Sequence, residues 1–324
     1  MDPQQKIEFL KTRTVSNTIT DTINFIRTNG KSLLGGLFGI CIPILLLSGV
    51  FAFLFFTNYF DFIFTTLLEQ NEYMVSETER IGETILYLFL FLLSTFLTMS
   101  LVSTASYVYV KLYRNEEKIT TKTLWDASKK YLGKVIGAQI LFFGSLVVVY
   151  VICLIPIFIG GDIAFLTLLL LPLSFVGIFY FSMKLTFFQA FIVLEDSGIM
   201  ESFKQSYHFT RGIFWKTVLF MLLIGFVAQF FTYLFQLPGV ILIYFQLIMG
   251  FTQGDYLDSS FSWTLGGALI GVGSAVGYVL YSIIFIGICF LYYSTIESRQ
   301  GIRAKNEIDS IGENNGIEEN GNLQ

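Results

Sequence analysis

Six stretches of this chain, none shorter than twenty residues, contain no charged side chain: Leu33 to Phe56, Ile85 to Val110, Val135 to Ile159, Ile163 to Met183, Thr217 to Gln236, and Trp263 to Tyr293. As helices rising about 1.5 Å per residue, such runs match a hydrocarbon core about 30 Å thick. Water is excluded as the solvent by composition: 54% of the residues are hydrophobic, 14% are charged, and the mean hydropathy is +0.68. Barrel strands would alternate apolar and polar residues, and these runs do not. The expected fold class is all-α, a polytopic membrane bundle of six transmembrane helices joined by amphipathic interfacial helices.

The distribution of Lys and Arg sets the expected direction, because cationic loops resist translocation. Lys6, Lys11, Arg13, Arg27 and Lys31 precede the first run, and Lys111, Arg114, Lys118, Lys122, Lys129, Lys130 and Lys134 separate the second from the third. Lys184, Lys204, Arg211 and Lys216 separate the fourth from the fifth, and Arg299, Arg303 and Lys305 follow the sixth. The exception is Arg80, in a loop carrying Asp61, Glu69, Glu72, Glu77, Glu79 and Glu83. This alternation predicts a multi-pass protein of the cytoplasmic (inner) membrane with both termini cytoplasmic. The polar, basic stretch before the first run predicts a retained span and not a cleaved signal peptide. Three regions follow: a cytoplasmic segment with an amphipathic helix over 1–31, the six-helix domain over 32–298, and a disordered cytoplasmic tail over 299–324.

A surface helix is expected before each odd-numbered span. Val15, Ile19, Ile23 and Ile26 share a face, with Asn29-Gly30 as the stop. Thr120 is a candidate N-cap, with Ile119 and Leu124 as a hydrophobic staple and Gly133 as the end. Asp196 or Ser197 is expected to cap a third helix bearing Ile199, Phe203 and Tyr207 on one face and ending near Gly212. The pattern suggests three repeated units of surface helix plus hairpin. Lys31, Lys134 and Lys216 mark each entry into the bilayer, and Pro156 and Pro238 both follow their lysine by 22 residues. Pro238-Gly239 is expected to interrupt the fifth run, making Val240 to Met249 either a re-entrant segment or an outer surface helix.

Gly267 with Gly271, Gly273 with Gly277, and Gly35 with Gly39 have the spacing that lets helices approach closely in lipid, for packing within the chain or between copies. Lys134, Lys184, Lys204, Arg211 and Lys216 stand where spans meet the basic side and are candidates for lipid headgroup contact, Lys184 by snorkelling. His208 lies near Glu195, Asp196, Glu201, Lys204 and Arg211, a set that suits either acid–base chemistry on a headgroup or a charged helix face. Gln139, Gln229, Gln236 and Gln246 suit either a polar path or interhelical hydrogen bonds. Cys41, Cys153 and Cys289 lack metal or redox spacing and read as buried small hydrophobes. No catalytic residue, cofactor or metal ligand is assigned.

The run Phe191-Ile192-Val193-Leu194-Glu195-Asp196, then Gly198, Ser202 to Ser206, and Arg211-Gly212-Ile213-Phe214-Trp215-Lys216, resembles a broad group of uncharacterised bacterial six-span proteins. That group is related to the membrane domain attached to some glycerophosphodiester phosphodiesterases. The resemblance implies architecture and not activity, because only a polar tail follows the sixth run here. The expected function is that of a non-enzymatic, lipid-contacting scaffold or accessory subunit. The alternatives are a channel or transporter for a small solute and, third, a membrane-embedded lipid-modifying enzyme. The expected partners are the lipid bilayer and a second copy or another membrane protein, and not nucleic acid.

Overall fold

The computed structural model describes residues 8–68, 74–115, 117–160, 165–253 and 259–301, with side chains described except at 61–68, 74–80, 246–247, 249–253 and 259–264. The acidic loop of residues 69–73, Asp162, Asp255, Asp258 and the tail from residue 302 fall outside the described residues, as do the side chains of Arg80 and Gln246. The described residues form helices without strands: α1 (Val15–Leu68), α2 (Met74–Arg114), α3 (Thr121–Ile159), α4 (Phe165–Lys184), α5 (Phe188–Leu194), α6 (Ile199–Phe209), α7 (Phe214–Gln253), α8 (Ser259–Leu280) and α9 (Ser282–Gln300). Six segments are long and apolar enough to cross a membrane: Val15–Phe60, Ile81–Arg114, Thr121–Ile159, Phe165–Leu194, Phe214–Phe245 and Leu265–Gln300.

Two of the three expected surface helices do not end where glycine suggested. In α1 the Asn29 side chain donates to the Phe25 carbonyl at 3.1 Å, so Asn29 supports the helix it was expected to stop. In α3 the buried stripe of Leu124, Ser128, Tyr131, Val135 and Ala138 continues past Gly133 on one face, and a helix buried on one stripe has no reason to break there. The Thr120 cap does form: its hydroxyl accepts from the Thr123 N–H at 3.2 Å, and the Thr123 hydroxyl accepts from the Thr120 N–H at 2.9 Å. Neither Asp196 nor Ser197 caps α6; Gly198 holds that position without a side-chain bond.

Pro238-Gly239 is not an interruption either. Helix α7 runs on through it, so Val240 to Met249 is neither re-entrant nor a separate surface helix. A proline inside a helix costs about 3 kcal/mol, and packing offsets that cost here. A β-carbon added at Gly239 would lie 2.7 Å from the Gly266 carbonyl oxygen of α8, so the two backbones meet at this point.

Large apolar side chains are exposed along Ile42 to Val50 of α1, Ile81 to Leu93 of α2, Ile140 to Ile159 of α3, Phe165 to Phe181 of α4 and Leu219 to Ile248 of α7. This belt is the surface a bilayer would cover. Helix α9 lies inside the bundle, with Ile286 to Tyr293 buried. The tightest core sits to one side of the belt, where α9 meets Phe25 of α1, Tyr107 and Tyr109 of α2, and Phe187 and Ile192 around α5. The chain segments around Arg13 and Ser294 meet at this end, the Arg13 N–H donating to the Ser294 hydroxyl at 2.8 Å. It gathers Lys111, Lys129, Lys130, Lys184, Arg13, Arg114 and Arg299 and is called the basic end below.

Candidate functional site

Helix α4 stops at Lys184, and the stop is made by α6. The hydroxyls of Ser206 and Thr210 donate to the Lys184 carbonyl at 3.1 and 3.0 Å, taking the place of the next helical N–H. The Ser206 hydroxyl oxygen also accepts from the Phe187 N–H at 3.1 Å. The chain then restarts as α5, buried at Phe188 through Val193. The Lys184 side chain is only 7% exposed, and its ammonium lies 5.6, 5.2 and 5.6 Å from the ring centroids of Tyr180, Tyr207 and Phe214. Ring quadrupoles replace water around this cation, so Lys184 is caged and does not reach outward to headgroups.

The turn after α5 is fixed by a clamp. The Lys111 ammonium donates to the Tyr131 hydroxyl at 2.9 Å, the Val193 carbonyl at 2.7 Å and the Asp196 carboxylate at 2.8 Å. Tyr131 donates to the other Asp196 oxygen at 2.5 Å. Lys111 first, then Tyr131, hold the Asp196 carboxyl below its ordinary range, at about 2, by bonding its charged form. Asp196 adopts a left-handed φ of 57°, a conformation aspartate tolerates better than most residues. On the neighbouring face, Phe9 inserts against Phe290, ring centroids 4.5 Å apart, and against Phe25, Tyr113 and Tyr293. Arg13 holds that segment by donating to the carbonyls of Phe9 at 2.7 Å, of Lys11 at 3.1 Å and of Glu8, while pairing with Asp21 at 2.6 Å. Lys216 reaches the same segment, its ammonium donating to the Arg13 carbonyl at 2.7 Å.

Two cavities flank α6. One, of about 440 Å³, is an apolar groove between α3, α4 and α6, floored by Leu141, Phe142, Phe181, Leu185 and Phe203. The other, of about 430 Å³, is a polar cleft walled by Glu195, Glu201, Gln205 and Arg299. Lys204 and His208, one helical turn apart, line both. The acceptors of the cleft already have donors: Tyr292 donates to Glu195, and Gln205 donates to Glu201 at 3.1 Å. Arg299 is committed to the carbonyls of Phe209 and Arg211, both at 2.8 Å. Lys204 has no acceptor within bonding distance among the described residues. An apolar trough that opens at a free Lys204 ammonium complements an amphiphile whose anionic group meets that cation, on the side of the cleft away from the Glu195 and Glu201 carboxylates.

The family described as a domain of unknown function, DUF7847, matches residues 14–296. The chain belongs to the DUF7847 family. No curated protein and no solved structure matches it. The DUF7847 match takes in α1 through most of α9, including the clamp, the Lys184 cage and both cavities except for Arg299.

Within the DUF7847 domain the remaining candidate residues are dispersed. A β-carbon at Gly267 would lie 2.8 Å from Thr57 and one at Gly271 would lie 2.8 Å from the Gly49 carbonyl oxygen, both on α1. One at Gly273 would lie 2.5 Å from the Phe235 carbonyl oxygen and one at Gly277 would lie 2.5 Å from Thr232, both on α7. Gly39 faces Thr121 at 2.7 Å, whereas Gly35 faces open space. Ser100 donates to Gln139, Tyr281 donates to Gln229 at 2.5 Å, and Gln236 donates to Ser274 at 2.9 Å, so three of the four amides bridge helices. Lys134 is exposed on α3 and Arg211 on the turn after α6, each outside both cavities. Cys41 and Cys289 are buried and Cys153 partly so. Among the described residues, no group of three His, Cys, Asp or Glu is placed to hold a metal ion. The clamp and the Phe9 cluster went unread in the sequence, because their members lie tens to hundreds of residues apart and share no local period.

Proposed function

We propose that this chain is a non-enzymatic, lipid-contacting scaffold or accessory subunit of the cytoplasmic membrane, which holds an anionic glycerophospholipid at its basic end. The observation that carries the reading is that Lys204 and His208 line an apolar groove and a polar cleft at once. The acyl chain lies against Phe142, Phe181 and Phe203, and the phosphate meets the Lys204 ammonium. With the basic end cytoplasmic, as the positive charge of its loops favours, the site faces the leaflet that carries anionic lipid.

The other readings have less support. A solute path along the glutamines would have to break the bonds of Gln139, Gln229 and Gln236 to neighbouring helices. Headgroup chemistry at His208 would draw on Glu195 and Glu201, which are engaged by Tyr292 and Gln205. The close glycines of α8 face α1 and α7 within the chain, so a protein partner or second copy would dock elsewhere. The resemblance of residues 191–216 to the phosphodiesterase-associated membrane domain agrees with a membrane role and adds no activity.

Purified in detergent, the protein should melt at higher temperature as phosphatidylglycerol is added, since a ligand of the folded state stabilises it. Lys204→Ala should need roughly fivefold more of that lipid for the same rise, the weight of one lysine near an anionic surface. An identical lipid response in wild type and Lys204→Ala would refute the site.

A further inference from the structure

The groove beside α6 has a counterpart one repeat earlier. A cavity of about 660 Å³ lies between α1, α2 and the start of α3, lined by Gly39, Pro43 and Ile44, by Leu101, and by Lys122 and Trp125. Lys122 and Lys204 each stand 12 residues before Lys134 and Lys216, and Trp125 and Tyr207 each stand nine before them. Both grooves therefore present a lysine and, one turn on, an aromatic residue from the stretch that precedes an odd-numbered span. Each stretch also packs on the preceding hairpin: the second rests on the first, where Thr121 meets Gly39, and the third rests on the second, where a β-carbon at Gly137 would lie 3.2 Å from Ile199. The ring closes through the first stretch, because a β-carbon at Gly287 of α9 would meet Phe220 of α7 at 2.7 Å and Thr22 of α1 at 3.4 Å. Each stretch thus lies on the hairpin of the unit before it, cyclically.

We infer that the Lys122 groove is a second binding site for an anionic phospholipid, equivalent by internal threefold repetition to the Lys204 site, so that one chain holds two such lipids. This rests on the lipid reading of the Lys204 site. Lys122 is exposed with no acceptor in ion-pair range among the described residues, since the nearby Asp126 pairs with Lys129 at 2.8 Å. Trp125 is 38% exposed at the rim, as an interfacial tryptophan is. Pro43 has no N–H for the Gly39 carbonyl, which leaves a backbone acceptor on the groove wall for a headgroup hydroxyl. At the third position Ile19 and Thr22 occupy the places of lysine and aromatic, and Thr22 is buried, so neither the cation nor the rim ring is repeated there. The count is therefore two and not three.

Native mass spectrometry of the full chain in detergent with added phosphatidylglycerol reads this directly. Wild type should retain two lipids. Lys122→Ala and Lys204→Ala should each weaken one of them about fivefold, and the double variant both. Lys122→Glu, a surface charge reversal that leaves packing intact, should remove the same lipid as Lys122→Ala. If Lys204→Ala loses a lipid while both Lys122 variants retain two, the second site is wrong and the proposed function stands. Retention unchanged in every variant overturns both, and a third lipid held with similar strength overturns the assignment of the empty third position.

Discussion

At the scale of single residues, this protein spends its few intramembrane and interfacial charges on construction as much as on recognition. Lys111 is fully used by the turn after α5, and Lys184 is enclosed by three rings, so neither is available to a ligand. Lys122 and Lys204 are the lysines left open beside apolar grooves. The Asp196 carboxylate is the anchor of the clamp. Its pKa is depressed in the folded protein to about 2, so its contribution is present above the unfolded value and is lost as pH falls through the folded one. The melting temperature of the wild type should therefore drop between about pH 4 and pH 2, whereas Asp196→Asn should melt lower at neutral pH and show a flatter profile across that range. Parallel profiles would mean that the ionised carboxylate adds nothing to the turn.

At the scale of elements, glycine position decides what each helix can tolerate. Helix α8 lies between α1 and α7 with glycine on both faces, and Gly273 sits 2.5 Å, measured from an added β-carbon, from a carbonyl oxygen of α7. Gly273→Ala should cost about 1–3 kcal/mol, because backbone cannot yield as a side chain does. Gly35→Ala meets nothing within 4 Å and should instead stabilise α1 by about 0.5–1 kcal/mol, the helix preference of alanine over glycine. Denaturation of the two variants in one detergent compares them, and equal destabilisation would contradict this packing. The same elements show what was legible beforehand. Long charge-free runs and the Thr120 cap can be read locally, since length and capping chemistry are local properties. Helix ends at Asn29-Gly30, Gly133 and Pro238 could not be, because tertiary contacts at Phe25, Val135 and Gly239 carry the helices past residues that stop them in isolation.

At the scale of the whole molecule, the belt of exposed apolar side chains and the compact basic end divide the chain into a part for the bilayer and a part for the boundary. Helix α1 has 54 residues, about 80 Å at 1.5 Å each, far more than the hydrocarbon core needs. Its N-terminal turns pack with α2, α5 and α9 into the core of the basic end. The candidate site lies where the two parts meet. Its lysine and histidine were readable as a basic, interfacial cluster, but not the groove, which exists only because α6 folds back across α3 and α4. Contacts between consecutive units, Thr121 with Gly39 and Ile199 with Gly137, were hidden for the same reason, since one matched proline spacing says nothing of them. The most direct test of the account is to place a photoreactive residue at Met200, exposed on the groove wall beside Lys204, and to illuminate the protein in vesicles containing phosphatidylglycerol. The account predicts a covalent phospholipid adduct at that position, reduced about fivefold in yield by Lys204→Ala; a protein adduct in its place, or lipid labelling indifferent to Lys204, would contradict it.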